Sequence, residues 1–166
     1  MLQFMVEKLG EHLSAHGMIT DIVLRSDRSL VAEEELQEVI ISFAASEEEH
    51  VPVASIHLFS LPDQASCEVE VEVSYPGVLG SEQNDQSELF WERARVMIPE
   101  ISLTEKRRYL EPGKMAEAVM ILDYHFVVEQ PITEDEELQL ENVLERFSTD
   151  LGKLVSFSKK AEDQRK

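Results

Sequence analysis

The chain has 166 residues, about the length of one domain, with 43% hydrophobic residues and a single cysteine. It carries 34 acidic residues against 15 basic ones, a net charge of −19. So negative a surface repels phosphate backbones and anionic membranes, which argues against nucleic acid or lipid as the main partner, and one cysteine excludes an internal disulfide framework and any cysteine-rich metal site.

The charge is unevenly spread. Residues 1–92 hold 19 acidic and only three basic residues, Lys8, Arg25 and Arg28; residues 93–166 hold 15 acidic and 12 basic. No apolar run approaches the roughly 18 residues a bilayer span needs. Residues 1–17 mix glutamates and histidines among the apolar positions, unlike a secretory leader. The expected compartment is the cytoplasm.

Residues 2–16 read as an amphipathic helix, with Leu2, Met5, Val6, Leu9 and Leu13 on one stripe and Gly17 where a C-cap glycine belongs. A β-rich run, 18–25, follows. Residues 36–44 fit helix and strand alike; the β-branched Val39-Ile40-Ile41 favours the strand. Residues 53–61 form a clearer strand between two prolines. Residues 67–75 are the clearest, with Cys67, Val69, Val71, Val73 and Tyr75 alternating with Glu68, Glu70, Glu72 and Ser74. Short spacings favour an antiparallel meander.

Residues 87–97 read as a second helix with Leu89, Phe90, Ala94 and Met97 inward. The turn Glu111-Pro112-Gly113-Lys114 suits type II geometry and joins a short strand at 106–110 to a long one at 117–129. That long strand is apolar on both faces, a mark of a central position. Thr133-Glu134-Asp135-Glu136 is a capping box, opening a helix whose buried stripe holds Leu140, Val143, Leu144, Phe147, Leu151 and Leu154. Residues 1–158 are expected to make one domain, and 159–166 a basic, mobile tail. The expected core includes Leu9, Leu13, Val69, Val71, Val73, Leu122, Tyr124, Phe126, Leu144, Phe147 and Leu151.

Candidate chemistry is sparse. His12 and His16 stand at i, i+4 on one helix face, a spacing that can hold zinc, without the glutamate that the zincin motif places after the first histidine. Asp123 and His125 share one face of the long strand and could serve a metal or a general base. Together they frame the alternative reading, a metal-dependent hydrolase. The bland reading weighs more for each: exposed histidines beside an apolar stripe, and a polar patch on a sheet. His50 and His57 carry less signal still. Cys67, next to Glu68, reads as a buried thiol rather than a reactive one. Glu33-Glu34-Glu35, Glu47-Glu48-Glu49 and the glutamate face of 67–75 read first as solvated surface, and second as a field that steers a basic partner. Lys106-Arg107-Arg108 with Lys114 is the compact basic patch of the chain body, suited to an acidic surface within the chain or on a second copy.

The order helix, antiparallel strands, helix, two strands, helix resembles the type III secretion chaperone-like fold, including its YbjN-like branch. The resemblance rests on Met97-Ile98-Pro99, on Ala118–Tyr124 after a Pro-Gly hairpin, and on Val128-Glu129-Gln130-Pro131-Ile132-Thr133 at the start of the last helix. It implies small, acidic, often homodimeric proteins that bind other proteins, with no catalytic residues to carry over.

The expectation is therefore an α+β fold, an antiparallel sheet of five or six strands in the order α-β(3-4)-α-β-β-α with the first and last helices on one face. The expected function is a non-catalytic, cofactor-free, protein-binding module, chaperone-like or regulatory, with a structural subunit as a further alternative. A homodimer or protein complex is expected to use the second helix, where Phe90, Trp91, Met97 and Ile98 spread apolar surface beyond the roughly 100° stripe that one packed helix needs. Tryptophan is enriched at interface hot spots.

Overall fold

In the computed structural model, residues 1–28, 35–47, 51–60, 65–76, 82–112 and 114–157 are described. The elements run α1 (Leu2–Ser14), β1 (Met18–Arg28), β2 (Glu35–Ala44), β3 (Val53–Ser60), β4 (Ser66–Pro76), α2 (Glu82–Met97), β5 (Ser102–Glu111), β6 (Lys114–Glu129) and α3 (Glu134–Val155). The six strands form one sheet in the order β1-β2-β3-β4-β6-β5, antiparallel at every pairing. The expected α+β class, strand number and element order hold.

Register explains the two faces. One row across the sheet runs Ile22, Ile41, Ile56, Val71, Tyr124; the next runs Val23, Ile40, His57, Glu70, His125. Successive residues of a strand point to opposite faces, so the first row looks into the core and the second away from it. Ile41, Ile56 and Val71 are buried in one cluster with Met5, Leu9 and Leu13 of α1, Phe90 and Ala94 of α2, and Leu144, Leu151 and Leu154 of α3. All three helices, not only the first and last, therefore cover the same face.

Several boundaries move. The first helix ends at Ser14 with Ala15 as a right-handed C-cap. Gly17 is not a left-handed cap; a Cβ there would lie 2.6 Å from Cζ of Phe43 and 2.7 Å from the carbonyl oxygen of Ala44. Close approach of the chain to β2, rather than backbone freedom, requires glycine. The second helix begins five residues earlier than the periodicity suggests. Leu89 on it is exposed rather than inward. The strand over 36–44 is real. The strands expected at 106–110 and 117–129 lengthen to ten and sixteen residues, because ladder pairing extends them through polar sequence. The type II geometry rests on Gly113, outside the described residues, as do His50, Glu33, Glu34, Glu48, Glu49 and the tail 159–166.

The capping box of α3 forms as its sequence demands. Thr133 Oγ1 accepts from the Glu136 amide, and the Glu136 carboxylate accepts from the amides of Ile132 and Thr133. Those two amides hold the Glu136 carboxyl below the usual carboxylate range.

The proposed interface residues separate. Phe90 is fully buried, its ring 4.9 Å from that of Tyr75 and 5.1 Å from that of Phe157. It packs inward, as its helical spacing predicts, and as a core residue it gives no exposed surface to the interface expected of it. Trp91, Met97 and Ile98 are half-buried against the same core. Their extra apolar surface is largely consumed by packing within the chain. Among the described residues no helix is long and apolar enough to cross a membrane.

Candidate functional site

The helix-free face of the sheet carries the polar residues that ordinary surface would scatter. Glu38 on β2 is nearly buried, at 9% exposure, although it bears a charge. Burying a carboxylate is costly unless it is paired and hydrogen-bonded, and both conditions are met. Its Oε2 lies 3.2 Å from the Arg25 guanidinium on β1, and its Oε1 lies 2.7 Å from His57 Nδ1 on β3. With an anion on that side, Nδ1 is the protonated nitrogen and donates. The other ring nitrogen, Nε2, lies 3.1 Å from Ser55 Oγ. In that tautomer Nε2 accepts there from the hydroxyl.

The strand geometry makes this arrangement. Ser55 and His57 are two apart on β3 and share a face. His57 is registered with Ile40 and Phe59 with Glu38, so Glu38 sits on the diagonal from His57, within reach of a long side chain. Beside the imidazole an open concavity of about 300 Å³ is lined by His57, Glu70, Glu72, Asp123 and His125 and by Val71 and Tyr124 between them. Asp123 accepts from Ser102 Oγ at 2.8 Å.

Ser55, His57 and Glu38 stand in the order nucleophile, base and orienting acid of a hydrolytic triad. Acyl transfer needs more: preorganised donors aimed at the developing oxyanion. Ser55 lies mid-strand in β3, between the ladders to β2 and β4, so the nearby amides are spent in the sheet. Glu70, Glu72 and Asp123 line the adjoining concavity with carboxylates. The chain of hydrogen bonds accounts for a satisfied buried carboxylate, and its surroundings oppose chemistry that builds negative charge.

The histidines of the alternative reading do not converge. His12 Nε2 lies 2.8 Å from Glu141 Oε2, and His16 Nε2 lies 3.3 Å from Thr149 Oγ1. His12 of α1 and His16, in the turn beyond its end and so off the helix face expected for both, each tie to α3 on the helical side, while Asp123 and His125 face the opposite side of the sheet. Lys8 also pairs with Glu141, and Lys8 first, then His12, draw the Glu141 carboxyl below its usual range. Among the described residues no group of three or more His, Cys, Asp or Glu is placed to hold a metal ion. Cys67 is fully buried, and burial pushes its thiol up to about 11, the inert form expected of it.

Glu38 and Ser55 do not stand out in the sequence, and His57 carries little signal there. A serine two residues before a histidine on the wet face of a strand was the available signal. The carboxylate partner became visible only with the register of β2 on β3. Compared with protein-family models, with curated proteins and with solved structures, the chain gives no match.

Proposed function

We propose that this protein is a non-catalytic protein-binding module, chaperone-like or regulatory, that acts in the cytoplasm and takes a basic partner segment on the helix-free face of its sheet. The observation that supports this reading is the asymmetry of that sheet. Three helices cover one face, and the other is left with exposed Glu68, Glu70, Glu72 and Asp123 around a concavity. Ile40 and Phe59 are half-buried among them and Val127 is exposed. An acidic surface with apolar positions suits a segment that alternates lysine or arginine with aliphatic residues, and its field would raise the encounter rate with such a partner. The likeness in element order to type III secretion chaperone-like proteins points the same way.

A fluorescently labelled peptide of alternating Lys and Val tests it by anisotropy. Wild type should bind, with affinity falling as salt rises. Glu68→Gln/Glu70→Gln/Glu72→Gln should lose most of that binding while keeping the wild-type circular dichroism spectrum. Binding undiminished in the triple variant would overturn this use of the face.

A further inference from the structure

The sheet has two edges, and they are built differently. Natural edge strands are guarded against pairing by charges, prolines and bulges. The β5 edge follows that rule. Its sequence runs through Lys106-Arg107-Arg108, and its register on β6 slips twice, around Tyr109. The β1 edge is charged only on its flanks, at Asp21, Arg25, Asp27 and Arg28, and its one irregularity lies near its start. β1 has eleven residues, and after an irregularity between Ile19 and Asp21 its register on β2 runs unbroken to Arg28. At the middle of that regular stretch stand three consecutive apolar residues, all exposed: Ile22 at 51%, Val23 at 41% and Leu24 at 66%. Ile22 and Leu24 point to the helical side, yet the helices leave both uncovered. Among the described residues β1 pairs with β2 alone.

We propose that this edge is a homodimer interface: β1 pairs antiparallel with β1 of a second copy across a two-fold axis at Val23, joining two six-stranded sheets into one. The charges select both the occupant and the register. With Val23 opposite its twin, Ile22 faces Leu24 of the second copy on the helical side. Asp21 faces Arg25 of the second copy on the other, and symmetry repeats each pair. Centring the axis one residue later, on Leu24, would set Asp21 against Asp27. One residue earlier, on Ile22, would set Asp21 against Val23. Like charges directly opposite destabilise a ladder and opposite charges support it, so the axis at Val23 is favoured. Arg25 keeps 59% of its side chain exposed while it engages Glu38, so its guanidinium fork can also reach Asp21 of the second copy. An isologous pairing also closes on itself, whereas β1 on β5 would propagate.

This proposal is independent of the basic partner, because it uses an edge rather than the acidic face. Light scattering at micromolar concentration should give wild type twice the chain mass. Val23→Lys, which sets two lysines together on the axis, should give a monomer with an unchanged circular dichroism spectrum, and Asp21→Arg should weaken the dimer. Val23→Cys should form an intermolecular disulfide readily, since directly opposed antiparallel residues fall within disulfide span and native Cys67 is buried. Tyr109→Cys on the β5 edge should not. A wild-type monomer, open-ended oligomers, a dimer indifferent to Val23→Lys, or cross-linking through Tyr109→Cys instead would each overturn the proposal.

Discussion

The two faces of this sheet are made from the same strands and hold together by different means. On the covered face the row Ile22, Ile41, Ile56, Val71, Tyr124 is apolar except for one hydroxyl, and its contribution is area removed from water. On the open face the neighbouring row, with Glu38 on the diagonal, places a carboxylate and two histidines where a strand is half wet. Burial is non-directional and sums over many atoms; a buried charge is held by a few bonds of fixed geometry. One face should therefore lose stability in proportion to volume removed, and the other only when a particular partner goes.

The largest effect belongs to the covered face. Ile56 is fully buried at the centre of β3, and Ile56→Ala should cost about 2–5 kcal/mol, transfer plus cavity. Urea unfolding followed by circular dichroism measures it. A cost under about 1 kcal/mol would mean that the centre of this face is not close-packed. Next comes Glu38→Ala on the open face. It strips His57 Nδ1 of its acceptor and leaves Arg25 without that carboxylate, at roughly 1–3 kcal/mol for the partner left behind. If Glu38→Ala matched wild type, the network would be ornamental, and the contrast between the faces would reduce to polarity alone.

How legible these faces were in the sequence follows from the same contrast. Cys67–Tyr75 announced its strand because period 2 sorted valines from glutamates, and that sorting is also the covered and open face. The capping box announced α3 because both halves of the device lie within four residues. Residues 102–105 and 114–116 gave no strand signal, since the mutual pairing of β5 and β6 across their hairpin, rather than their own propensity, makes them strand. The apolar excess on α2 has a related cause: Phe90, Trp91, Met97 and Ile98 exceed one stripe, and Tyr75 and Phe157 arrive from elsewhere in the chain to cover Phe90. The open-face network needed register: nothing within residues 35–44 or 53–60 alone places Glu38 beside His57.

The covered face has a flaw that a single atom should mend. Among the described residues the Tyr124 hydroxyl is buried without a hydrogen-bond partner, and burial, with Asp150 near, pushes its ionisation far upward. Its ring stacks with Phe126 and meets Phe147 edge-on. An unsatisfied buried hydroxyl bears a desolvation penalty of about 1–3 kcal/mol, so Tyr124→Phe should keep the aromatic packing and raise stability, by about 1 kcal/mol after relaxation. A loss of stability would mean that the hydroxyl has a partner, such as an ordered water.

The smallest effect lies at the rim of the covered face, where Glu141 of α3 receives Lys8 and His12 of α1. The pair is partly exposed, so solvent and salt screen it. Its sign is nonetheless fixed. The folded state holds the Glu141 carboxyl below its ordinary value of 4.5, with the Lys8 hydrogen bond as the main cause. A depressed carboxylate favours folding at pH values above its unfolded pKa. That contribution fades as pH falls through the folded one, because the unfolded chain then binds the proton more readily. Glu141→Gln should therefore melt at a lower temperature than wild type at pH 7, and the difference should shrink as pH falls below 4.5 and wild type loses the charge in its turn. The same variant leaves Glu38, on the far side of the sheet, untouched. A gap that did not narrow on acidification would assign the effect to packing of α1 on α3 rather than to charge, and the rim would then follow the same rule as the interior it borders.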